Sequence, residues 1–266
     1  MSQPADQIDE PLLLREQQDQ VVTLTLNRPQ RYNPLTGDTL AELQTALDEI
    51  AQDDSVRVVI IAATGKAFSA GHDLKEMRTN DDAEYIQALF DRCAGVMQAI
   101  NQLPQPVIAQ VNGIATAAGC QLVASCDLAI ATEEARFAVS GINYGLFCSA
   151  PAVPLSRNLS RKRAMKMLLT GDFIDAETAV DFGLINDAVP ADQLESATRE
   201  LAAKIVAKSA HSIRIGKDMF YKQIEMDLSE ALFYGAKRMA CNMDSHDARE
   251  GFDAFLEKRQ PTWKHE

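Results

Sequence analysis

The chain is poor in the features that mark disulfide-rich, metal-binding and membrane-spanning proteins. Its five cysteines are odd in number and form no CxxC pair, so neither a disulfide framework nor a zinc site is expected. No apolar stretch is long enough to cross a bilayer. Residues 1–20 are acidic and rich in Gln, without the basic start of a signal peptide or the arginines of a transit peptide. These absences predict a cytoplasmic protein.

Positive charge is also scarce. The 26 Lys and Arg residues face 38 Asp and Glu residues, which gives a net charge of -12. This balance argues against nucleic acid or a membrane surface as the main partner, although a few local amides and lysines can still bind an anionic ligand. The 266 residues are 46% hydrophobic, enough for a sizeable core.

Hydrophobic periodicity predicts alternating strands and helices in the first two thirds of the chain. Residues 21–26 alternate as a strand does, and residues 36–53 repeat apolar positions at helical steps. Residues 56–63 form a nearly continuous apolar run, typical of a strand covered on both faces. A similar cycle follows, with a helix at 83–103, a strand at 106–111, a Gly/Ala-rich stretch leading into a helix that ends at 125, and a short strand at 128–131. Such cycles favour an α/β spiral.

Strands disappear from the pattern after about residue 190. Residues 191–209, 218–242 and 245–258 are predicted as consecutive amphipathic helices. Their apolar residues either pack on the core of the chain itself or against a neighbouring subunit. These residues are Phe220, Leu232, Phe233, Met239, Phe252, Phe255 and Leu256.

Two segments place backbone amides where a strand gives way to a turn or helix. They are residues 65–74 and residues 112–121, and both are rich in Gly and Ala. Small residues let a ligand approach the backbone, and a helix N-terminus offers unpaired N–H groups. Two such amides converging from different loops would hold a thioester oxygen as it becomes an enolate. Tight packing between strand and helix explains the same composition without a ligand.

These two segments carry a resemblance to a known family. AFSAGHDLKEM (residues 67–77) and NGIATAAGCQLVASCDLAIA (residues 112–131) resemble the signature segments of the enoyl-CoA hydratase/isomerase (crotonase) family. Weaker similarities at residues 26–35, 168–189 and 250–263 extend the resemblance over nearly the whole chain. The GCQLVASCD and GLFCS stretches resemble in particular a hydratase-domain subgroup, found in mitochondria and bacteria, that lacks both catalytic glutamates.

The resemblance implies a fold, an assembly and a ligand. The fold is a crotonase-like α/β spiral of ββα turns over residues 1–200, with a helical trimerisation region over residues 201–266. The assembly is a homotrimer or a dimer of trimers. The ligand is a CoA thioester, bound as a substrate or as a ligand that is not converted, and neither a tightly bound cofactor nor a metal ion is expected.

The resemblance also assigns positions to the site. The oxyanion-hole amides are expected at Ala70 and Ala118. The CoA groove is expected at Lys66, Ala70, Asp73 and Leu74, and Phe255 and Lys258 match positions that can reach the CoA of a neighbouring subunit.

The catalytic glutamates of the hydratases are missing. Their matching positions hold Gln121 and Gly141. Hydration needs one group to take a proton from water and another to deliver a proton to carbon. Gln121 does not exchange a proton at neutral pH and Gly141 has no side chain, so ordinary hydration is not expected, whereas restoring both carboxylates should raise it.

Three functions therefore stay open. The first is an enzyme that stabilises a thioester enolate and acts as a lyase or isomerase with an unorthodox acid or base. The second is a decarboxylase or thioesterase that uses His72, although a tyrosine of the decarboxylase branch is replaced here by Cys148. The third is a non-catalytic acyl-CoA-binding regulatory protein. Asp127 is interpreted as structural, tying down amides near a helix end.

Overall fold

The strands divide between two sheets. In the computed structural model, which describes residues 10–266, the larger sheet has the order β1-β2-β3-β5-β7-β10 and the smaller one β4-β6-β8-β9. The strands are β1 (Leu13–Gln18), β2 (Val21–Leu26), β3 (Val58–Ala63), β4 (Ala67–Ser69), β5 (Val107–Val111), β6 (Ile114–Thr116), β7 (Leu128–Thr132), β8 (Arg136–Ala138), β9 (Ile174–Asp175) and β10 (Asp187–Val189).

Successive strands alternate between the sheets, and this produces the spiral. Strands β3, β5 and β7 pair in parallel in the larger sheet, and β4, β6 and β8 pair in parallel in the smaller one. Each turn thus contributes one strand to each sheet before a helix returns the chain. Side chains of β3 are buried along nearly the whole strand, because the sheet is covered on both faces.

Eleven α-helices surround and extend the sheets within the described residues. They are α1 (Gly37–Ala51), α2 (Leu74–Thr79), α3 (Ala83–Gln102), α4 (Ala118–Ser125), α5 (Ser149–Asn158), α6 (Arg161–Thr170), α7 (Ala176–Phe182), α8 (Leu194–Val206), α9 (Ala210–Gln223), α10 (Leu228–Met243) and α11 (His246–Glu257). Thr36 caps α1 by accepting a hydrogen bond from the Thr39 amide.

The predicted spiral and the predicted strands at 21–26, 56–63, 106–111 and 128–131 are confirmed, with boundary shifts of up to two residues. The predicted absence of strands after residue 190 also holds within the described residues. No helix there is long and apolar enough to cross a membrane. The acidic start of the chain at residues 1–9 lies outside the described residues.

The helix predicted at 218–242 is wrong. The structure has two helices there, α9 and α10, because Asp227 caps a new helix by accepting a hydrogen bond from the Glu230 amide. The helix predicted at 191–209 is shorter and runs as α8 after a 3-10 turn at Ala191–Gln193. Ser209 then caps α9.

Candidate functional site

The first amide-bearing segment is the loop from β4 to α2. The Ala70 N–H donates to the Tyr32 carbonyl at 2.9 Å, and the Gly71 N–H donates to the Ser69 hydroxyl at 3.2 Å. Ala70, predicted as an oxyanion donor, therefore has its N–H already engaged inside the protein. The next amide, that of His72, has no hydrogen-bond acceptor among residues 10–266. A donor from this loop is thus available at His72 and not at Ala70.

The second segment is the turn from β6 into α4. Ala118 is the first residue of α4, and its N–H has no acceptor within the part of the chain that the structure describes. First-turn amides of a helix lack intrahelical partners and carry the positive end of the dipole. Ala117 precedes it at φ 50°, ψ −118°, a backbone region that residues with a side chain seldom adopt. Its own N–H is fixed on the Ala138 carbonyl at 3.0 Å.

The two segments meet at Gly71. A Cβ placed on Gly71 would lie 3.0 Å from the Ala118 nitrogen and 3.0 Å from the Thr116 carbonyl oxygen. Gly71 also has φ +87°, so both its backbone conformation and the close approach require glycine. His72 follows directly, so its unpaired amide is one residue along the chain from the contact between Gly71 and the Ala118 nitrogen.

Gln121 lies one turn along α4 from Ala118. The residue is 4% exposed, and its Oε1 is buried without a hydrogen-bond partner among the described residues. A buried polar atom without a partner is uncommon in folded proteins and is often found where a ligand or water binds. Gln121 is therefore fit to hold a polar group of a ligand.

Gly141 is closed off by the loop that follows it. A Cβ on Gly141 would lie 2.6 Å from the Leu146 carbonyl oxygen and 2.7 Å from Cys148 Sγ. The Gly141 N–H donates to the same sulfur at 3.3 Å. The 3-10 turn at Ser140–Tyr144 thus folds Cys148 into the space that a side chain at 141 would need. The sequence shows that position 141 carries no carboxylate, and the structure shows that the position has no room for one.

Two buried thiols stand beside these positions. Cys148 is 7% exposed and Cys120, which interacts with it electrostatically, is fully buried. Burial raises the pKa of Cys120 to about 12, and burial also raises the pKa of Cys148 against a smaller opposite effect of its bond from Gly141. Both thiols are therefore protonated at neutral pH and are poor nucleophiles. Tyr144, the tyrosine four residues before Cys148 in the sequence, is 75% exposed.

The His72 side chain is held by two contacts. Its Nδ1 lies 3.0 Å from the Leu35 carbonyl oxygen, and its ring packs edge-on against Phe90 with a 5.2 Å centroid distance. Burial lowers the pKa of His72 below its ordinary value, opposed by the Leu35 carbonyl and the charge of Glu76. A neutral ring that donates from Nδ1 leaves the lone pair on Nε2. Among the described residues no hydrogen bond involves Nε2.

The residues predicted for the CoA groove differ in their surroundings. Lys66 is exposed and Leu74 is 60% exposed, so both are free to contact a ligand. Asp73 is 8% exposed and is committed locally, because it caps α2 through the amides of Lys75 and Glu76 and forms an ion pair with Arg31. Arg31 was missed by the sequence reasoning, since the pairing partner lies 42 positions away.

Phe255 and Lys258 stand apart from this site within one chain. They lie on or just after α11, which packs against α9 and α10. Phe255 is 80% exposed. These positions fit the prediction that they act on a neighbouring subunit, which stays a prediction.

Asp127 links the end of α4 to the C-terminal helices. Its carboxylate accepts hydrogen bonds from the Val107 amide at 2.7 Å, Lys217 Nζ at 2.6 Å and the Tyr221 hydroxyl at 2.8 Å. Lys217 Nζ also donates to the carbonyls of Ile100 and Gln105. The structural role inferred for Asp127 is confirmed, and its two partners from α9 are additions that local sequence patterns do not indicate.

A cavity of about 870 Å³ lies at the other end of α4. It is lined by residues of α3, α5, α9 and α10, including Asp127 and Tyr221, and not by His72 or Ala118. The size of this cavity therefore does not identify the candidate site, which lies elsewhere. No cluster of His, Cys, Asp and Glu within residues 10–266 is arranged to hold a metal ion.

Comparisons with known proteins identify the family of the chain. The model of the family described as enoyl-CoA hydratase/isomerase matches residues 16–266. The chain is 43% identical to rat "Enoyl-CoA hydratase domain-containing protein 3, mitochondrial", over 99% of this chain and 88% of the rat protein.

Two solved structures share the fold closely. One, an enoyl-CoA hydratase from Mycobacterium smegmatis, is 56% identical with a TM-score of 0.94, covering 96% of this chain and 99% of that one. The other, human enoyl Coenzyme A hydratase domain-containing protein 3, is 42% identical with a TM-score of 0.92, covering 95% and 100%.

The prediction of a cytoplasmic location is contradicted by these relatives. The rat protein and its mouse, frog and human counterparts are all named as mitochondrial. An odd number of unpaired cysteines indicates a reducing environment but does not distinguish one reducing compartment from another. The composition therefore could not support the finer assignment.

Proposed function

The chain belongs to the enoyl-CoA hydratase/isomerase family, and we propose that it is an enzyme that binds an acyl-CoA thioester and stabilises its enolate. The backbone amides of His72 and Ala118 donate to the thioester oxygen. The observation that supports this proposal is the contact at Gly71, which brings the loop that carries the unpaired His72 amide against the unpaired Ala118 amide.

The chemistry follows from where charge develops. When a bond at the acyl Cα breaks and leaves its electron pair behind, negative charge moves onto the thioester oxygen. Two fixed N–H groups, one of them at a helix N-terminus, stabilise that charge without reorganising. Removing one such donor typically costs 10²–10³-fold in rate, about 3–4 kcal/mol.

Ordinary hydration is not part of the proposal. Gln121 has no exchangeable proton at neutral pH, and Gly141 is packed against Leu146 and Cys148. Neither position supplies the acid or the base that addition of water requires. Gln121 instead binds a polar group of the acyl chain or a water through its unpartnered Oε1.

CoA itself is proposed to lie over the exposed edge of the first loop. Lys66 and Leu74 offer charge and apolar surface there. Asp73 acts indirectly, by capping α2 and holding Arg31. Phe255 and Lys258 of a neighbouring subunit are proposed to complete this surface in a trimer or a dimer of trimers.

A second candidate reaction is decarboxylation of an acyl-CoA with a carboxylate on Cα. Loss of CO2 leaves the same enolate and needs no base. The absence of a carboxylate at both 121 and 141 favours this reaction, because a negative side chain would repel the carboxylate of the substrate.

The test is mass spectrometry of the purified protein incubated with a panel of CoA thioesters. Crotonyl-, 3-hydroxybutyryl- and methylmalonyl-CoA are each compared with a no-protein control, and binding is measured separately by calorimetry. A product identifies the bond that changes, and we expect it to be lost about 10²–10³-fold in Ala118→Pro, which removes one N–H at a helix position that tolerates proline. Binding of the esters with no product from any of them would contradict the enzyme proposal and favour a regulatory binding protein.

A further inference from the structure

His72 carries the one imidazole close to the two unpaired amides. The two positions that hold the proton-transferring glutamates in the related hydratases are Gln121 and Gly141 here, and neither is an acid. The backbone N–H of His72 belongs to the proposed oxyanion hole, so the imidazole of the same residue lies close to the bound thioester. Nδ1 is fixed on the Leu35 carbonyl at 3.0 Å and Phe90 packs against the ring. The ring therefore has one orientation, and the nitrogen left over is Nε2.

Glu76, one helical turn further along, is an acid with no role in the site described above. Its Oε1 accepts hydrogen bonds from the Tyr85 hydroxyl at 2.7 Å and the Gly37 amide at 3.1 Å. Its Oε2 is buried and has no partner among residues 10–266. The hydrogen bonds to one oxygen fix the position of the Glu76 side chain, and the other oxygen is left without a donor.

Glu76 lies four residues after His72 at the start of α2. Burial lowers the pKa of His72, and the negative charge of Glu76 opposes this effect by favouring the protonated ring. The other titratable or charged groups around the pair are Asp38 on α1, Tyr85 and Arg92 on α3, and Asp73 with its partner Arg31.

We propose that His72 Nε2 transfers the proton at the acyl Cα and that Glu76 is the positioning residue that stabilises the imidazolium formed. This rests on the proposed function, since it needs a thioester in the oxyanion hole. In the forward step the Cα–H bond breaks, the proton bonds to Nε2, and the electron pair moves to the thioester oxygen between the amides of His72 and Ala118. The reverse step returns the proton to Cα, and it also protonates an enolate formed by loss of CO2.

The pair replaces the two missing glutamates with a different arrangement. Because burial lowers the pKa of His72, the ring is neutral at neutral pH and keeps the Nε2 lone pair that a base needs. A positioned acid beside it offsets part of the cost of charging the ring in a buried place. The single side chain both accepts and returns the proton, so the exchange needs no second acid in the cavity.

The experiment follows hydrogen exchange at Cα. Butyryl-CoA, which carries no double bond and no carboxylate on its acyl chain, is incubated with the full-length protein in D2O, and deuterium uptake is followed by mass spectrometry across a range of pD. We expect uptake with the wild type, and a loss of about 10²–10⁴-fold in His72→Gln, which keeps the backbone N–H. Calorimetry with butyryl-CoA checks that the variant still binds, and thermal unfolding checks that it is folded.

Glu76→Gln distinguishes a positioning role from a merely structural one. Removing the negative charge lowers the pKa of His72, so the base form persists to lower pH and the rise of the exchange rate moves to lower pD, with a lower plateau. The His72 ring signals, titrated by NMR, move in the same direction. Arg78→Gln, an exposed charge change on the same helix, leaves both the profile and the titration unchanged.

Two results would overturn the inference. One is undiminished exchange in a folded His72→Gln variant that binds butyryl-CoA, which would place the base elsewhere and leave the proposed function intact. The other is wild-type protein that binds butyryl-CoA and exchanges nothing. Failure to bind any thioester would instead remove the proposed function itself.

Discussion

Glycine 141 shows how a single position can decide which chemistry is open to a site. The space that a side chain at position 141 would need is occupied by the Leu146 carbonyl oxygen and Cys148 Sγ, which lie 2.6 and 2.7 Å from a Cβ built there. Real Cβ atoms do not approach that closely, and the nearer atom belongs to the backbone. The sequence expectation that carboxylates at 121 and 141 would restore hydration is therefore revised, because Gly141→Glu requires the 146–148 backbone to move first.

The steric conflict predicts opposite effects for the same substitution at two glycines. Gly141→Ala lowers the free energy of unfolding by about 1–3 kcal/mol, as overpacking does. Gly216→Ala, on α9 with open space around its Cβ, raises it by about 0.5–1 kcal/mol through better helix propensity. Urea unfolding of both variants at one protein concentration measures the difference. Equal effects at the two positions would show that the loop at 146–148 yields easily.

At the scale of elements, the sequence predicted what local pattern controls. The strands at 21–26, 58–63 and 107–111 follow from alternating or continuous apolar runs, and the start of α1 from the Thr36 cap. One local signal was missed. The break between α9 and α10 depends on one capping aspartate in a pattern that is otherwise helical on both sides.

The candidate site divides in the same way. The two loops were identified from their composition and the family resemblance, but the Ala70 amide predicted as a donor is bonded within the protein, and the proposed donor lies two residues later. Which amide is free depends on the Tyr32 carbonyl and the Ser69 hydroxyl, which bind the amides of Ala70 and Gly71. The partners of Glu76 and Asp127 lie on other helices and on strand β5, and the periodicity of the sequence does not indicate them.

The buried ion pair between Lys217 and Asp127 is predicted to hold α9 against the core. Its side chains are 7% and 14% exposed, so removing one partner leaves an uncompensated charge. Lys217→Met should lower the free energy of unfolding by about 3–5 kcal/mol. Lys222→Gln, which breaks an exposed pair on the same helix, should change it by less than about 1 kcal/mol.

Denaturant unfolding of both variants, at one protein concentration, makes the comparison. A loss in Lys217→Met no greater than that in Lys222→Gln would mean that water reaches Asp127 in solution. The buried interior around α9 would then be more open than the structure describes.

At the scale of the whole molecule, the C-terminal helices leave apolar side chains in solvent. Leu228, Phe233 and Phe255 are 77%, 78% and 80% exposed, and Leu232, Met239 and Leu256 exceed 60%. A soluble protein seldom leaves so many large apolar groups uncovered on neighbouring helices, and a subunit interface explains them.

We expect a trimer or a hexamer by light scattering at micromolar concentration. Phe233→Glu should shift the mass toward the monomer, because a carboxylate is costly to bury in an apolar interface. Asp192→Lys, a charge change at an exposed position outside these helices, should leave the mass unchanged. A wild-type monomer would refute the assignment of residues 201–266 as an oligomerisation region.

The closed loop behind Gly141 also has an evolutionary consequence. Two of the four glycine codons differ from a glutamate codon by one base, so from these codons a single mutation would introduce the carboxylate. Here the first such mutant meets the Leu146 carbonyl and Cys148 before it can contribute any chemistry. Hydration can therefore evolve in this chain only after changes in the 146–148 loop. Until such changes occur, the contact disfavours a glutamate at position 141 in descendants of this chain.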